Sequence, residues 1–117
     1  MENSAVLTKG KFEGKIPFIT SLITSSIEKE HLRKVYLFGS YAYGVPDKDS
    51  DIDILVITSN EYSHRKAYLD IRNNFHNNRI SPCDLLVKTE NEFKEKLEIN
   101  DYNVYNTIYN RGILLYG

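Results

Sequence analysis

The chain has 117 residues, a formal net charge of -1 and a pI near 6.3, a size that suits one small domain, residues 1–117, with a single modest core. Acidic and basic residues are interspersed, which argues against a surface that neutralises many phosphates of duplex nucleic acid. No apolar run reaches the roughly 20 residues of a membrane span, and the polar N-terminus lacks the apolar middle of a signal peptide. We therefore expect a cytoplasmic protein with no membrane partner.

The pattern of apolar residues predicts strands and helices in alternation. The predicted strands are short apolar runs bounded by turn residues: 35–38, 51–58 and 81–89. The predicted helices have apolar residues three or four positions apart: 17–30, 61–76, 90–97 and 102–109. Gly112 introduces a last apolar run over residues 113–116. The alternation predicts an α/β or α+β fold, in which helices pack on a small mixed β-sheet.

A glycine and a serine, Gly39 and Ser40, follow the first predicted strand. Gly39 and Gly44 have the spacing G-x-x-x-x-G, but Val45 and Pro46 stand where a P-loop has Lys and Ser or Thr. What remains is a turn that leaves a strand and enters a short helix, where backbone N–H groups and the serine hydroxyl can hold a phosphate. The alternative interpretation is an ordinary Gly-Ser turn that binds nothing.

Two aspartates, Asp51 and Asp53, open the second predicted strand. Because side chains alternate along a strand, both carboxylates project from the same face. At a separation of 4–6 Å and an effective dielectric near 20, their repulsion is about 3–4 kcal/mol. A divalent cation removes this cost, and hard oxygen ligands suit Mg²⁺. The alternative is a solvated acidic turn, DKDSD, that leads into a strand.

A third carboxylate follows from an internal comparison. Residues 53–58 read DILVIT and residues 84–89 read DLLVKT, so both segments are predicted to be buried strands that begin with an aspartate. If the helix over 61–76 joins them as parallel neighbours, Asp84 lies beside Asp53. If the first two strands are antiparallel neighbours, Gly39 lies at the same edge. One arrangement therefore gathers a phosphate-binding turn and three carboxylates.

The motif G-S-x10-D-x-D over residues 39–53, together with Asp84, resembles the nucleotidyltransferase superfamily of DNA polymerase beta. The small size and the final apolar run resemble its minimal nucleotidyltransferase branch, which includes the antitoxins of HEPN/MNT toxin–antitoxin systems. The resemblance implies the nucleotidyltransferase fold. It also implies a transferase that uses Mg²⁺ and takes a nucleoside monophosphate, AMP from ATP, to a hydroxyl acceptor.

The resemblance also implies a role for each residue of the motif. Gly39 and Ser40 would hold the β- and γ-phosphates of the nucleoside triphosphate. Asp51 and Asp53 would bind Mg²⁺. Asp84 would complete the metal site or accept the proton of the attacking hydroxyl, while pyrophosphate leaves the α-phosphorus.

The sequence departs from this family at Tyr43, where many relatives have an Arg or Lys that contacts the triphosphate. Tyr41 and Tyr43 flank the predicted phosphate turn, and either ring could stack on a base. Ser50, next to the first aspartate of the motif, is assigned to the nucleotide-binding set as a hydrogen-bonding residue that orients its neighbours.

The cysteine and the three histidines are residue types that often take part in catalysis or metal binding, but here we expect neither role for them. Cys83 lies in the predicted strand 81–89, where a lone cysteine is more often a small buried hydrophobe than a nucleophile. His31, His64 and His76 stand in polar contexts without metal-ligand spacing, so we expect solvated side chains.

Two classes of function remain open. The first is an active transferase whose acceptor is a separately encoded partner, such as a HEPN-type helical protein. The second is a non-catalytic binding module, an antitoxin that neutralises its partner by complex formation. The sequence favours the transferase, because all three carboxylates are present and a decayed site should have lost at least one. The chain has too few residues for the acceptor domain of antibiotic-modifying relatives.

Overall fold

The computed structural model of the chain describes residues 12, 14–80, 83–99 and 103–117. Its strands are β1 (Leu32–Phe38), β2 (Ile52–Thr58), β3 (Cys83–Thr89) and β4 (Ile113–Tyr116). Its helices are α1 (Ile16–Thr24), α2 (Ser40–Tyr43), α3 (His64–Asn77), α4 (Glu90–Ile99) and α5 (Val104–Arg111). In these described ranges the predicted alternation of strands and helices is confirmed.

The strands form a mixed sheet in the order β3-β2-β1-β4. β1 pairs antiparallel with both β2 and β4, whereas β2 and β3 are parallel and are connected through α3. Both predicted neighbour relations are therefore confirmed. In the resulting register Asp53 stands opposite Asp84 on one side and opposite Phe38, the last residue of β1, on the other.

Buried side chains form one cluster on each face of the sheet. The first cluster lies between the sheet and helices α1 and α3, and its fully buried members include Ile19, Ile23, Ile52, Ile54, Ile71 and Phe75. The second cluster faces α4 and α5 and consists of Tyr36, Phe38, Leu55, Ile57, Phe93 and Ile108. Because strand side chains alternate, Asp53 lies on the face of Leu55 and Ile57, as predicted. Asp53 therefore emerges on the face that α4 and α5 cover.

Helix α1 ends at Thr24, although the sequence predicts a helix over 17–30. Serine and threonine hydroxyls compete with backbone donors at its end. The hydroxyls of Ser25 and Ser26 donate to the carbonyl of Leu22 at 3.1 and 2.6 Å, and Asn74 of α3 donates to the same carbonyl at 3.1 Å. A carbonyl satisfied in this way no longer needs the next helical N–H, so the helix ends early.

Local hydrogen bonds set the ends of the later helices. Ser63 caps α3 by accepting from the backbone N–H of Lys66 at 3.1 Å. Thr89 and Glu92 form a capping box that starts α4 directly at the end of β3, with bonds of 2.8 and 3.2 Å. β1 begins at Leu32, three residues earlier than predicted. The sequence pattern misses this start because a register shift between Leu32 and Lys34 interrupts the run of buried apolar residues.

Among the described residues no helix is long and apolar enough to cross a membrane.

Candidate active site

Gly39 joins the end of β1 to α2 in a conformation that only glycine adopts readily. Its φ is 75° and its ψ is -153°. A Cβ at this position would collide with Oδ2 of Asp53 and would lie 3.0 Å from its Cγ. The missing side chain therefore lets the backbone of the turn approach the carboxyl group of the neighbouring strand.

The short helix α2 begins directly after this glycine. The N–H groups of Ala42 and Tyr43 both donate to the carbonyl of Gly39 at 3.0 Å, and Gly44 N–H donates to the carbonyl of Ser40 at 3.1 Å. Ser40 is half-buried, and its hydroxyl forms no hydrogen bond with any residue that the structure describes. The Ser40 hydroxyl therefore remains available to a ligand beside the turn.

The loop that follows is organised by Asp47. Its Oδ1 accepts from the N–H of Asp49 at 2.8 Å and from the Ser50 hydroxyl at 3.2 Å, and its own N–H donates to the Ser50 hydroxyl at 2.9 Å. The bonds that the carboxylate accepts, first the one from the Asp49 N–H and then the one from the Ser50 hydroxyl, lower the pKa of Asp47. Ser50 thus fixes the turn immediately before Asp51, which fits the orienting part of its predicted role. A contact between Ser50 and nucleotide stays a prediction.

Asp53 and Asp84 form a pair at one edge of the sheet. They are register partners on the parallel strands β2 and β3, and their side-chain carboxyl groups hydrogen-bond. Asp53 is half-buried, whereas Asp84 is exposed because β3 is the edge strand. Burial, the charge and hydrogen bond of Asp84 and the charge of Asp51 together raise the pKa of Asp53 to about 6.

This carboxyl cluster has the donor chemistry that a divalent cation requires. Asp51, Asp53 and Asp84 offer hard oxygen ligands. After burial, the charges of Asp84 and Asp51 contribute to the raised pKa of Asp53, and a cation would neutralise this negative charge. Among the described residues the ligand atoms of all three do not lie within 4.8 Å of one another. The close pair is Asp53 with Asp84, and Asp51 lies half-exposed just before β2.

A different set of potential ligands lies at the opposite end of β1. Ligand atoms of Glu28, Glu30 and His31 lie within 4.8 Å of one another, so the prediction that no histidine has metal-ligand spacing is wrong for His31. Nδ1 of His31 also lies 2.7 Å from the hydroxyl of Ser59, and its ring packs 5.0 Å from that of Tyr62. These contacts give His31 a structural role, and exposed acidic groups in a turn often approach one another without an ion.

The two tyrosines that flank the turn face opposite sides of the sheet. The Tyr41 ring packs on the first cluster, 6.1 Å from Phe12, and its hydroxyl accepts from Phe12 N–H at 3.0 Å. The Tyr41 hydroxyl is therefore engaged by Phe12, and stacking of the Tyr41 ring on a base stays a prediction. Tyr43 packs on the second cluster, the face of Asp53. Cζ of Arg111 lies 4.7 Å from the centroid of the Tyr43 ring, a neighbour that no sequence spacing indicated.

A groove of about 260 Å³ lies on the same face of the sheet but at its other end. Residues that line it include Tyr36, Ile57, Phe93 and Tyr109. Ile57 is four residues along β2 from Asp53, a distance of about 13 Å. None of the predicted site residues lines this groove.

Known proteins resemble this chain in sequence and in fold. The family described as "Polymerase beta, Nucleotidyltransferase" matches residues 21–117. A presumed nucleotidyltransferase from Sulfolobus solfataricus, known from a crystal structure at 1.40 Å resolution, is 23% identical, with 91% of this chain and 86% of that chain covered and a TM-score of 0.55. That likeness is one of fold. A comparison with curated proteins finds no match. On the family match over most of its length, the chain belongs to the polymerase beta nucleotidyltransferase family.

Proposed function

We propose that this protein is a Mg²⁺-dependent nucleotidyltransferase that transfers AMP from ATP to a hydroxyl group of a partner protein. The observation that carries the proposal is the approach of the Gly39 turn to Asp53, which is itself paired with Asp84. A turn suited to phosphate and a cluster suited to a divalent cation are thereby in contact. Nucleotidyl transfer needs both features at one place.

The turn is proposed to hold the phosphates that leave. Gly39 presents backbone without a side chain, and Ser40 offers a hydroxyl that no described residue engages. The N–H groups of Ala42 and Tyr43 already donate to the Gly39 carbonyl, so the N–H groups of Ser40 and Tyr41 would be the backbone donors added by the start of α2. These groups would position the β- and γ-phosphates, with Ser50 keeping the adjoining loop in place.

The carboxylates are proposed to hold the cation and to move one proton. Asp51 and Asp53 would be the principal ligands of Mg²⁺, with Asp84 beside them. When bound, the cation would neutralise charge on the phosphoryl oxygens and on the leaving pyrophosphate. The acceptor oxygen forms a bond to the α-phosphorus as the bond from phosphorus to the bridging oxygen of pyrophosphate breaks. The exposed Asp84 would take the proton of the acceptor hydroxyl.

The acceptor is proposed to be a serine, threonine or tyrosine of a separately encoded protein, in a toxin–antitoxin pair a HEPN-type helical protein. Asp84 lies on the exposed edge strand, so a docked protein surface can reach it. The net charge of -1 does not favour a polynucleotide acceptor. Protein docking next to the site would bring such a hydroxyl group to the carboxylates.

Intact-mass measurement of the partner tests this proposal. The protein encoded beside this chain would be incubated with ATP, Mg²⁺ and either the wild type, Asp53→Asn or Asp49→Asn. Asp49 is an exposed carboxylate of the same loop and is the matched control. The wild type and Asp49→Asn should add the mass of AMP to the partner, and Asp53→Asn should not. A tight complex whose mass never changes, and which Asp53→Asn leaves intact, would support a binding module instead.

A further inference from the structure

Arg111 is brought to the candidate site by the last turn of α5. Gly112 follows it, and a Cβ there would lie 3.1 Å from the carbonyl oxygen of Leu37. Ile113 then pairs with Leu37 in the sheet. Leu37 is two residues before Gly39, so the end of α5 lies beside the phosphate turn.

The guanidinium group of Arg111 is placed over an aromatic ring. Its Cζ lies 4.7 Å from the centroid of the Tyr43 ring, within the range of a cation–π contact. Tyr43 ends α2 and packs on the face of the sheet that carries Asp53 and Asp84. The ring therefore holds this cation on the same face as the carboxyl cluster and next to the turn.

The donors of this guanidinium are not occupied by an acidic partner. In the described part of the chain Arg111 is exposed and forms no ion pair, whereas Arg33 pairs with Glu90 at 3.2 Å. A guanidinium presents several N–H donors in a plane, a geometry that matches phosphate oxygens. A ring contact leaves those donors at the rim of the plane accessible. Arg111 is thus oriented and still able to bind.

A bound triphosphate would meet strong like-charge repulsion here. Asp53 and Asp84 are register partners on neighbouring strands, and Asp51 lies two residues before Asp53, so three carboxyl groups meet at this edge of the sheet. A cation held by the carboxylates would offset this like-charge repulsion on one side of the triphosphate. The turn of Gly39 and Ser40 contributes neutral donors only, so a positive charge beside it would be the complementary feature.

We propose that Arg111, oriented by the ring of Tyr43, binds the terminal phosphates of the nucleoside triphosphate and thereby selects a triphosphate over a monophosphate. This inference rests on the proposed function. The competing explanation is that Arg111 only packs α5 against α2. The two explanations differ in the ligand they affect, because packing does not distinguish ATP from AMP.

Calorimetric titration with ATP and with AMP, both with Mg²⁺, tests the inference. Arg111→Ala should weaken ATP binding roughly ten- to hundredfold, the range for lost hydrogen bonds between charged groups, and should leave AMP binding unchanged. Arg111→Lys should recover part of the ATP affinity, since a point charge lacks the planar donor geometry. Arg65→Ala, which removes an exposed arginine of α3, is the matched control and should behave as the wild type.

The ring is tested separately from the charge. Tyr43→Phe should retain ATP affinity, and Tyr43→Leu should lower it in the same ligand-selective way as Arg111→Ala. Equal losses for ATP and AMP, accompanied by a lower melting temperature, would assign Arg111 to packing and overturn the inference. Unchanged ATP affinity in Arg111→Ala would also overturn it. If the wild type itself binds no ATP, the proposed function fails first.

Discussion

The raised pKa of Asp53 leads to a direct prediction about the stability of the protein. Asp53→Asn removes the ionisable group, and its amide can still donate to the Asp84 carboxylate. In the wild type the pKa of Asp53 is raised to about 6 from an ordinary value of 3.8, first by burial and then by Asp84 and Asp51. The folded protein therefore binds this proton more tightly than the unfolded chain does.

The sign and size of the effect follow from proton linkage. Below about pH 4 the Asp53 carboxyl is protonated in both the folded and the unfolded state, so it does not lower the free energy of unfolding. As the pH rises through about 6 the folded state must ionise it, and the stability that protonation gave is lost. A fully enclosed carboxyl would cost about 3 kcal/mol. Asp53 is half-exposed, so solvent screening reduces the cost to about 1–2 kcal/mol.

Chemical denaturation without divalent cations, from acid to neutral pH, measures this effect. At pH 7 in EDTA the free energy of unfolding of Asp53→Asn should exceed that of the wild type by about 1–2 kcal/mol, and the difference should vanish toward pH 4. Asp49→Asn, which removes an exposed carboxylate, should show no such gain. A variant that is no more stable than the wild type at pH 7, or equally stabilised at both pH values, would refute the reasoning.

Two further predictions concern the turn and the helix that follows β3. Gly39→Ala should abolish ATP binding and destabilise the fold, because a Cβ would strain the backbone and collide with Asp53. Ser40→Ala should weaken ATP binding by only about 1 kcal/mol. Calorimetry and thermal melting would check both variants, and equal small effects would argue against phosphate binding by the turn. Thr89→Ala should lower the free energy of unfolding by about 1 kcal/mol, because the hydrogen bond from Glu92 N–H is lost, and should leave ATP affinity unchanged. A loss of ATP binding would contradict the purely structural role of Thr89.

Features that repeat or alternate along the chain could be predicted from the sequence. The shared pattern of residues 53–58 and 84–89 predicted which residues of the two strands lie side by side, and the register pairs Asp53 with Asp84 as expected. The position of Gly39 next to Asp53 followed from antiparallel pairing alone. The collision that a Cβ would cause there depends on atomic distances, which no spacing encodes.

Features that depend on contacts between distant segments could not be predicted. Helix α1 ends early partly because Asn74, far along the chain, binds the carbonyl of Leu22. Tyr41 packs on the first cluster, where its hydroxyl accepts a hydrogen bond from Phe12, 29 positions earlier in the chain. Arg111 meets Tyr43 only because α5 packs beside the end of β1. In each case a contact between distant segments determines where a helix ends or which neighbour a side chain has, and local sequence propensity does not encode that contact.

Titration calorimetry of the wild type with ATP, once with Mg²⁺ and once with EDTA, tests the central claim most directly. The claim is that the carboxylates of Asp51, Asp53 and Asp84 hold a cation that helps the Gly39 turn bind a triphosphate. We predict ATP binding with Mg²⁺, a large loss of affinity in EDTA, and no response to Mg²⁺ in Asp53→Asn. Equal ATP affinity in Mg²⁺ and EDTA would contradict the account.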